Sequence, residues 1–167
     1  MLSMAHQSLA VAATVGAAPP ADGDDVVIVK SRYGDYEVRR DHLITFPKGL
    51  IGFGDQRRFA LLDLPNPGAD RFKLLQSLDD LALAFHVLPL QPETSGFDAA
   101  DIAAAVGPLD IKSESLAVLL IVTLRRAGDG VELTANMRAP VLIDANSRTA
   151  YQHVIANEKY SLRQRLN

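Results

Sequence analysis

The chain has 167 residues, 48% of them hydrophobic and 22% charged, with a net charge of −3. That composition fits one compact domain with a real core and excludes fibrous or wholly disordered classes. The absence of cysteine excludes disulfides, thiolate metal sites and cysteine nucleophiles, and a reducing cytoplasm is compatible with it.

Residues 1–25 are rich in alanine, run through Ala17-Ala18-Pro19-Pro20 and end in Asp22-Gly23-Asp24-Asp25. This reads as a flexible N-terminal tail, with the domain occupying 26–167. The alternative is a signal peptide with its apolar stretch over Leu9 to Val15 and a cut near Ala17 or Ala18. It lacks a positive n-region, because no Lys or Arg precedes Lys30. Setting aside the three tail acids leaves 17 acids against 17 bases in 30–167, so the body is neutral. Nucleic-acid binders carry a basic stripe, and none is visible. Between Lys73 and Lys112 there is neither Lys nor Arg, while Asp79, Asp80, Glu93, Asp98, Asp101 and Asp110 all fall there. Such a stretch suits a basic partner, or is simply a set of solvated loop acids.

From Val26 onward the pattern is mainly strand. Val26 to Val29 is a β-branched run, Tyr33-Gly34-Asp35 offers a turn, and Tyr36 and Val38 alternate with charged neighbours, which together predict a hairpin. Phe59 to Leu64 is an apolar strand stopped by Pro65-Asn66-Pro67-Gly68, and Phe72, Leu74 and Leu75 begin another. After the Asp79-Asp80 break, Leu81 to Leu88 reads as a buried strand ended by Pro89. Asp98 is placed to cap one short helix over Ala99 to Val106, stopped by Gly107-Pro108. Leu116 to Leu124 is the most apolar segment and the expected central strand. Its apolar core is too short for the roughly 20 residues of a membrane helix. Gly128-Asp129-Gly130 turns the chain so that Val131 to Met137 can pair back, and Val141 to Ile143 and Tyr151 to Ile155 continue the alternation. About nine closely spaced strands with one short helix predict a mainly β fold, a small antiparallel β-barrel-like single domain. No alternating βαβ units point to a nucleotide-binding fold.

No enzymatic constellation emerges. His6, His42, His86 and His153 lie outside metal-ligand spacing of one another, and His86, inside an apolar run, reads as a hydrogen-bonded sheet histidine. Gly52-Phe53-Gly54 is only a fragment of a phosphate loop. Asp79 and Asp80 are adjacent, and neighbours on an extended chain face opposite ways, so they make a loop rather than an acid/base pair. A site assembled from distant residues such as His86, His153 and Asp79 is the one enzymatic alternative. Catalytic, metal and cofactor residues are therefore assigned to none. Gly49 and Gly52 bracket Leu50-Ile51 in a manner suited to a tight turn needing φ > 0, with Phe46 and Phe53 as anchors. Asn136, inside an apolar strand, needs a hydrogen-bond partner or a functional contact. Pro140 should mark a strand edge or bulge.

From Arg32 to about Arg163 the chain resembles the FliW family of flagellar assembly factors. Phe46-Pro47-Lys48-Gly49-Leu50-Ile51-Gly52-Phe53 resembles that family's FPxGLxGF signature. Leu75-Gln76-Ser77-Leu78-Asp79-Asp80 with Leu83-Ala84-Phe85, then Ile121-Val122-Thr123, then Thr134 to Val141, resemble later elements in the same order; Thr149, Gln152 and Tyr160 to Arg163 fit its tail. The chain departs from the family at Leu88-Pro89-Leu90, at Phe72-Lys73-Leu74-Leu75, in its Arg163-Gln164-Arg165-Leu166 ending and in the extra tail. The resemblance implies a cytoplasmic, non-enzymatic protein that binds flagellin and the translational regulator CsrA, relieving repression of flagellin mRNA. It implies no cofactor, small-molecule substrate, direct nucleic-acid contact or membrane. A flagellin-specific chaperone without translational control is the alternative. Gly49, Leu50, Phe53, Asp79, Asp80 and Asn136 are the expected partner-binding residues.

Overall fold

The structure, a computed structural model, describes residues 25–166; the tail expected over 1–25 lies outside them, save Asp25, which pairs with Arg40. The first two strands, β1 (Val26–Ser31) and β2 (Gly34–Arg39), form the expected hairpin as a sheet of their own. Gly34 and Asp35, expected in the turn, belong to β2. The register sets Ser31 opposite Gly34, so the turn is Arg32-Tyr33, held by the Ser31 hydroxyl accepting Tyr33 N–H and donating to the Gly34 carbonyl.

The second sheet holds β3 (Ile44–Thr45), β4 (Arg58–Asp63), β5 (Lys73–Ser77), β6 (Ala84–Leu90), β7 (Leu116–Ala127), β8 (Gly130–Ala135), β9 (Val141–Asp144), β10 (Thr149–Gln152) and β11 (Gln164–Arg165). Its order is β11-β8-β7-β6-β5-β4-β3-β10-β9, and β9 also pairs with β7, so the stretch from β7 round to β9 curls shut on itself. The closing seam is thin: β3 and β10 run parallel and meet at Thr45 and Thr149. The expected mainly β, barrel-like domain is thus observed, with eleven strands among the described residues rather than about nine. The extra ones are two-residue pieces too short to leave an alternation in the sequence.

β7 is the central strand, as its apolar run predicts. One edge pairs with β6; the other is shared, Leu116 to Leu119 pairing with β9 and Val122 to Ala127 with β8. Three strand expectations shift. Leu81 is 59% exposed in a turn, and the strand placed over Leu81 to Leu88 begins instead at Ala84 and runs through Pro89 to Leu90. Pro89 is tolerated because of where its missing N–H would point. Asn136 N–H donates to the Ile121 carbonyl, so odd-numbered residues of β7 turn their amides toward β8 and even-numbered ones toward β6. Pro89 faces the odd-numbered Leu119, a pair that exchanges no ladder bonds, and the β5 ladder on its other side has already ended at Val87. The strands expected over Val131 to Met137 and Tyr151 to Ile155 sit at Gly130–Ala135 and Thr149–Gln152.

The helix α1 (Ala99–Val106) lies where expected, and a short 3-10 turn over Gly107–Leu109 follows it. Asp98 occupies the N-cap position but its side chain makes no cap hydrogen bond; its carboxylate meets Lys159 instead.

Three apolar clusters hold these elements together. Inside the curled sheet pack Ile44, Phe46, Leu50, Phe59, Leu61, Leu75, Val87, Leu119, Val141 and Ile143. On the outer face of β6 to β9, α1 and the C-terminal segment bring Phe97, Ile102, Ile155 and Tyr160 onto Leu88, Val118, Leu120 and Leu142. On the outer face of β4 and β5, the β1-β2 hairpin lays Val29, Tyr36 and Val38 on Ala60, Leu62 and Leu74. Each fully buried Leu, Ile or Phe here contributes about 1.5–3 kcal/mol. Tyr36 satisfies its phenol by donating to the Asp63 carbonyl at 2.7 Å.

Candidate partner-binding groove

The curled part of the sheet has an open end, and the chain segment from Phe46 to Gly54 sits across it. Phe46 is fully buried and stacks edge-to-face on Phe59 at 5.0 Å, which fixes where the segment leaves β3. Leu50 and Phe53 then exchange backbone hydrogen bonds of 3.3 and 2.8 Å around Ile51-Gly52. Gly49 and Gly52 have φ of +66° and +87°, as the spacing of the glycines predicts. At Gly49 space is a second constraint: a Cβ there would lie 2.4 Å from the Phe53 carbonyl oxygen. Leu50 is thereby turned into the core while Ile51 stands out at the tip, 58% exposed. Phe53 is not the buried anchor expected from the sequence. It is 38% exposed and leans edge-on against Phe85 at 5.6 Å, because the tight turn puts it on the outer side of Leu50.

Facing this turn is the loop after β8. Asn136 sits just past the strand, and its side-chain oxygen accepts the N–H groups of Arg138 and Ala139 at 3.0 and 3.1 Å. The polar partner expected for Asn136 is therefore its own loop. Pro140 closes that loop directly before β9. Arg138 is tied down in turn, donating to the carbonyls of Tyr160 and Glu158 and so clamping the C-terminal segment beside the loop. Gln152, at the end of β10, joins the two sides: its oxygen accepts Ile51 N–H at 2.9 Å and its amide donates to the Ala139 carbonyl at 3.1 Å.

Between these parts lies a groove of about 390 Å³ lined by Leu50, Ile51, Phe85, Ile121, Asn136, Arg138, Ala139, Gln152, Val154 and Leu162. Its floor is the interior face of β6 and β7, and its rim carries the exposed side chains Ile51, Val154 and Leu162, with Phe53 alongside. Exposed apolar side chains gathered about one concavity mark an interaction surface. The side-chain oxygen of Asn136 and both polar atoms of Gln152 are spent on holding the loops.

Of the residues expected from the sequence, Leu50 and Asn136 line the groove, and Gly49 and Phe53 shape its wall. Asp79 and Asp80 do not line it. They sit in the β5-β6 turn, linked to the Phe46–Gly54 segment through Gln56, whose side-chain oxygen accepts the Ser77 hydroxyl at 2.7 Å. Ser77 Oγ accepts both Asp79 and Asp80 N–H, the buried Gln76 amide reaches the carbonyls of Leu81 and Leu83, and Asp80 accepts Ala82 N–H. The Arg58 guanidinium hydrogen-bonded to Asp79 holds its carboxyl below the usual carboxylate range. Sequence reasoning missed Ile51, Phe85, Ile121, Arg138, Ala139, Gln152, Val154 and Leu162 as site residues. Ile51 and Arg138 were legible as members of motifs; Val154 and Leu162 come from the irregular C-terminal segment, where no periodicity signals a face.

Among the described residues no cluster of His, Asp or Glu could hold a metal ion, and no helix is long and apolar enough to cross a membrane. His86 donates to or accepts from the Tyr33 hydroxyl at 3.2 Å, the hydrogen-bonded sheet histidine expected.

The family model for FliW protein matches residues 27–166. The chain belongs to the FliW family of flagellar assembly factors. It is similar to the flagellar assembly factor FliW of Bdellovibrio bacteriovorus, at 34% identity over 83% of this chain and 78% of that one. The FliW of Syntrophus aciditrophicus is 33% identical over 81% and 84%. A crystal structure of the flagellar assembly factor FliW superposes with a TM-score of 0.67 at 29% identity, covering 84% of this chain and 97% of the other. The FliW match spans every strand from β1 to β11 apart from Val26, so the groove, its turn and its clamp all fall within the family's domain.

Proposed function

We propose that this protein works in the cytoplasm by binding flagellin and a CsrA-type translational regulator, and that holding the regulator relieves its repression of flagellin mRNA translation. Membership of the FliW family supports a protein-partner role in flagellar assembly. The observation that carries the reading is the groove at the open end of the curled sheet. It is built by the glycine turn and by Asn136, Arg138 and Gln152, and rimmed by exposed Ile51, Phe53, Val154 and Leu162. A concave apolar surface with few free polar atoms suits the apolar face of an amphipathic partner segment. Gly49, Leu50, Phe53 and Asn136 act in this reading as the groove's frame and wall. Asp79 and Asp80 present charge beside it and steer a basic partner.

The test is a pull-down with tagged protein from the native cytoplasm, followed by competition between purified partners and a flagellin-mRNA translation assay. Recovery of the regulator, its displacement by flagellin and restored translation support the proposal. Recovery of flagellin alone, without an effect on translation, replaces it with the chaperone reading. Recovery of neither, or retention of both by an Ile51→Asp variant, overturns the groove as the site.

A further inference from the structure

We propose that the outer face of β6 and β7 carries a second docking site, for an extended peptide segment that presents a large apolar side chain beside a carboxylate. This does not rest on the function proposed above. Phe85 and Ile121 point into the groove at the sheet's open end; their chain neighbours His86 and Val122 point the opposite way, because successive residues of a strand alternate. There they floor a separate pocket of about 300 Å³ with Phe72, Leu124 and Leu133, walled by Tyr33 and the loop from Asn66 to Ala69. The pocket falls in the gap between the two outer covers, the β1-β2 hairpin on one side and the helix and C-terminal segment on the other.

Two further features define the occupant. The first is an open strand edge. The β6-β7 ladder stops at His86 and Val122, yet β7 continues to Ala127 paired, among the described residues, with β8 alone, and Thr123 to Ala127 are exposed. By the parity set at Ile121, Leu124 and Arg126 turn their amide groups toward the side that β6 has left. An added strand would extend the ladder there and drop one side chain in beside Leu124, itself 51% exposed. The second is charge. Arg71 lies over the Phe72 ring at 4.9 Å, and Arg32 is near enough to His86 to help hold its imidazole below the ordinary range. Among the described residues neither arginine makes an ion pair. An apolar pocket with a cation next in sequence to each of its lining residues Tyr33 and Phe72 favours an acidic over a basic segment.

The test uses the full chain and two short fluorescein-labelled peptides, one alternating glutamate with leucine, the other lysine with leucine. Binding is read by anisotropy and mapped by methyl NMR. The glutamate peptide is expected to bind saturably, at least about tenfold tighter than the lysine one, shifting the methyls of Leu124 and Leu133. Leu124→Asp abolishes this, and Arg32→Glu with Arg71→Glu reverses the charge preference. Ile51→Asp, on the other groove, leaves it unchanged. All three sets of changes fall on exposed residues, and a far-UV spectrum checks that each variant is folded. Equal binding of both peptides, shifts confined to the Ile51 groove, loss with Ile51→Asp rather than Leu124→Asp, or no binding of the glutamate peptide overturns the proposal.

Discussion

The side-chain oxygen of Gln152 accepts the backbone N–H of Ile51 at 2.9 Å, across 101 positions of sequence, and the same side chain donates to the Ala139 carbonyl. One amide thus fixes the distance between two walls of the groove. Gln152→Ala is expected to cost about 1–2 kcal/mol in denaturant unfolding, near 1 kcal/mol for each lost bond. It should lower affinity for any groove-bound partner more than that stability loss accounts for. Gln152→Glu keeps the acceptor for Ile51 but sets a carboxylate oxygen against the Ala139 carbonyl, so it should cost at least as much as alanine at pH 7.

Gly49 and Gly52 offer a controlled comparison. Both hold positive φ, but a Cβ meets the Phe53 oxygen at 2.4 Å at Gly49 and nothing within 4 Å at Gly52. Gly52→Ala is expected to cost about 1 kcal/mol, the backbone term alone. Gly49→Ala adds a backbone clash and should cost about 3 kcal/mol or more. Equal losses in thermal unfolding would show that the turn relaxes freely at Gly49.

Charge reversal at Asp79 and Asp80 tests steering. The Arg58–Asp79 pair is exposed, so its loss should change stability by less than about 1 kcal/mol. Asp79→Lys with Asp80→Lys is expected to slow association with a basic partner several-fold at low salt, an effect that fades as salt rises. Stopped-flow rates that do not move would remove these two residues from partner binding.

His86 should titrate below its ordinary value near 6.5, chiefly because burial penalises the imidazolium and secondarily because of Arg32. The neutral form is the one the fold favours. Its contribution to stability is complete above the unfolded-state value of about 6.5 and is lost as pH falls toward and through the folded value. NMR titration of the ring protons checks the direction. Arg32→Ala should raise the midpoint only part of the way back, since the larger cause remains.

Much of the fold was legible because its strands are long enough to show an alternation or an apolar run: the β1-β2 hairpin, β4, β7 and the helix all sit close to where the pattern places them. β3 and β11 are two residues each and carry no period. Pro89 misled for a physical reason: a proline ends a strand when its N–H is needed, and opposite Leu119 it is not. Within the groove, the glycines announced a turn because only they take its backbone angles freely. Phe53 looked like an anchor because sequence gives hydrophobicity without direction. The closure that brings Thr45 to Thr149, and with it Ile51 to Gln152, is a long-range pairing that no local pattern encodes.

Phe85 and His86, and again Ile121 and Val122, put the two concavities described above on adjacent residues of shared strands. A chain inserted or shortened by one residue within β6 or β7 would exchange inside for outside along everything beyond it. Both surfaces would be lost in that single event. Point substitutions can alter one without the other, but changes in length cannot, so variation in length has room only in the connecting loops.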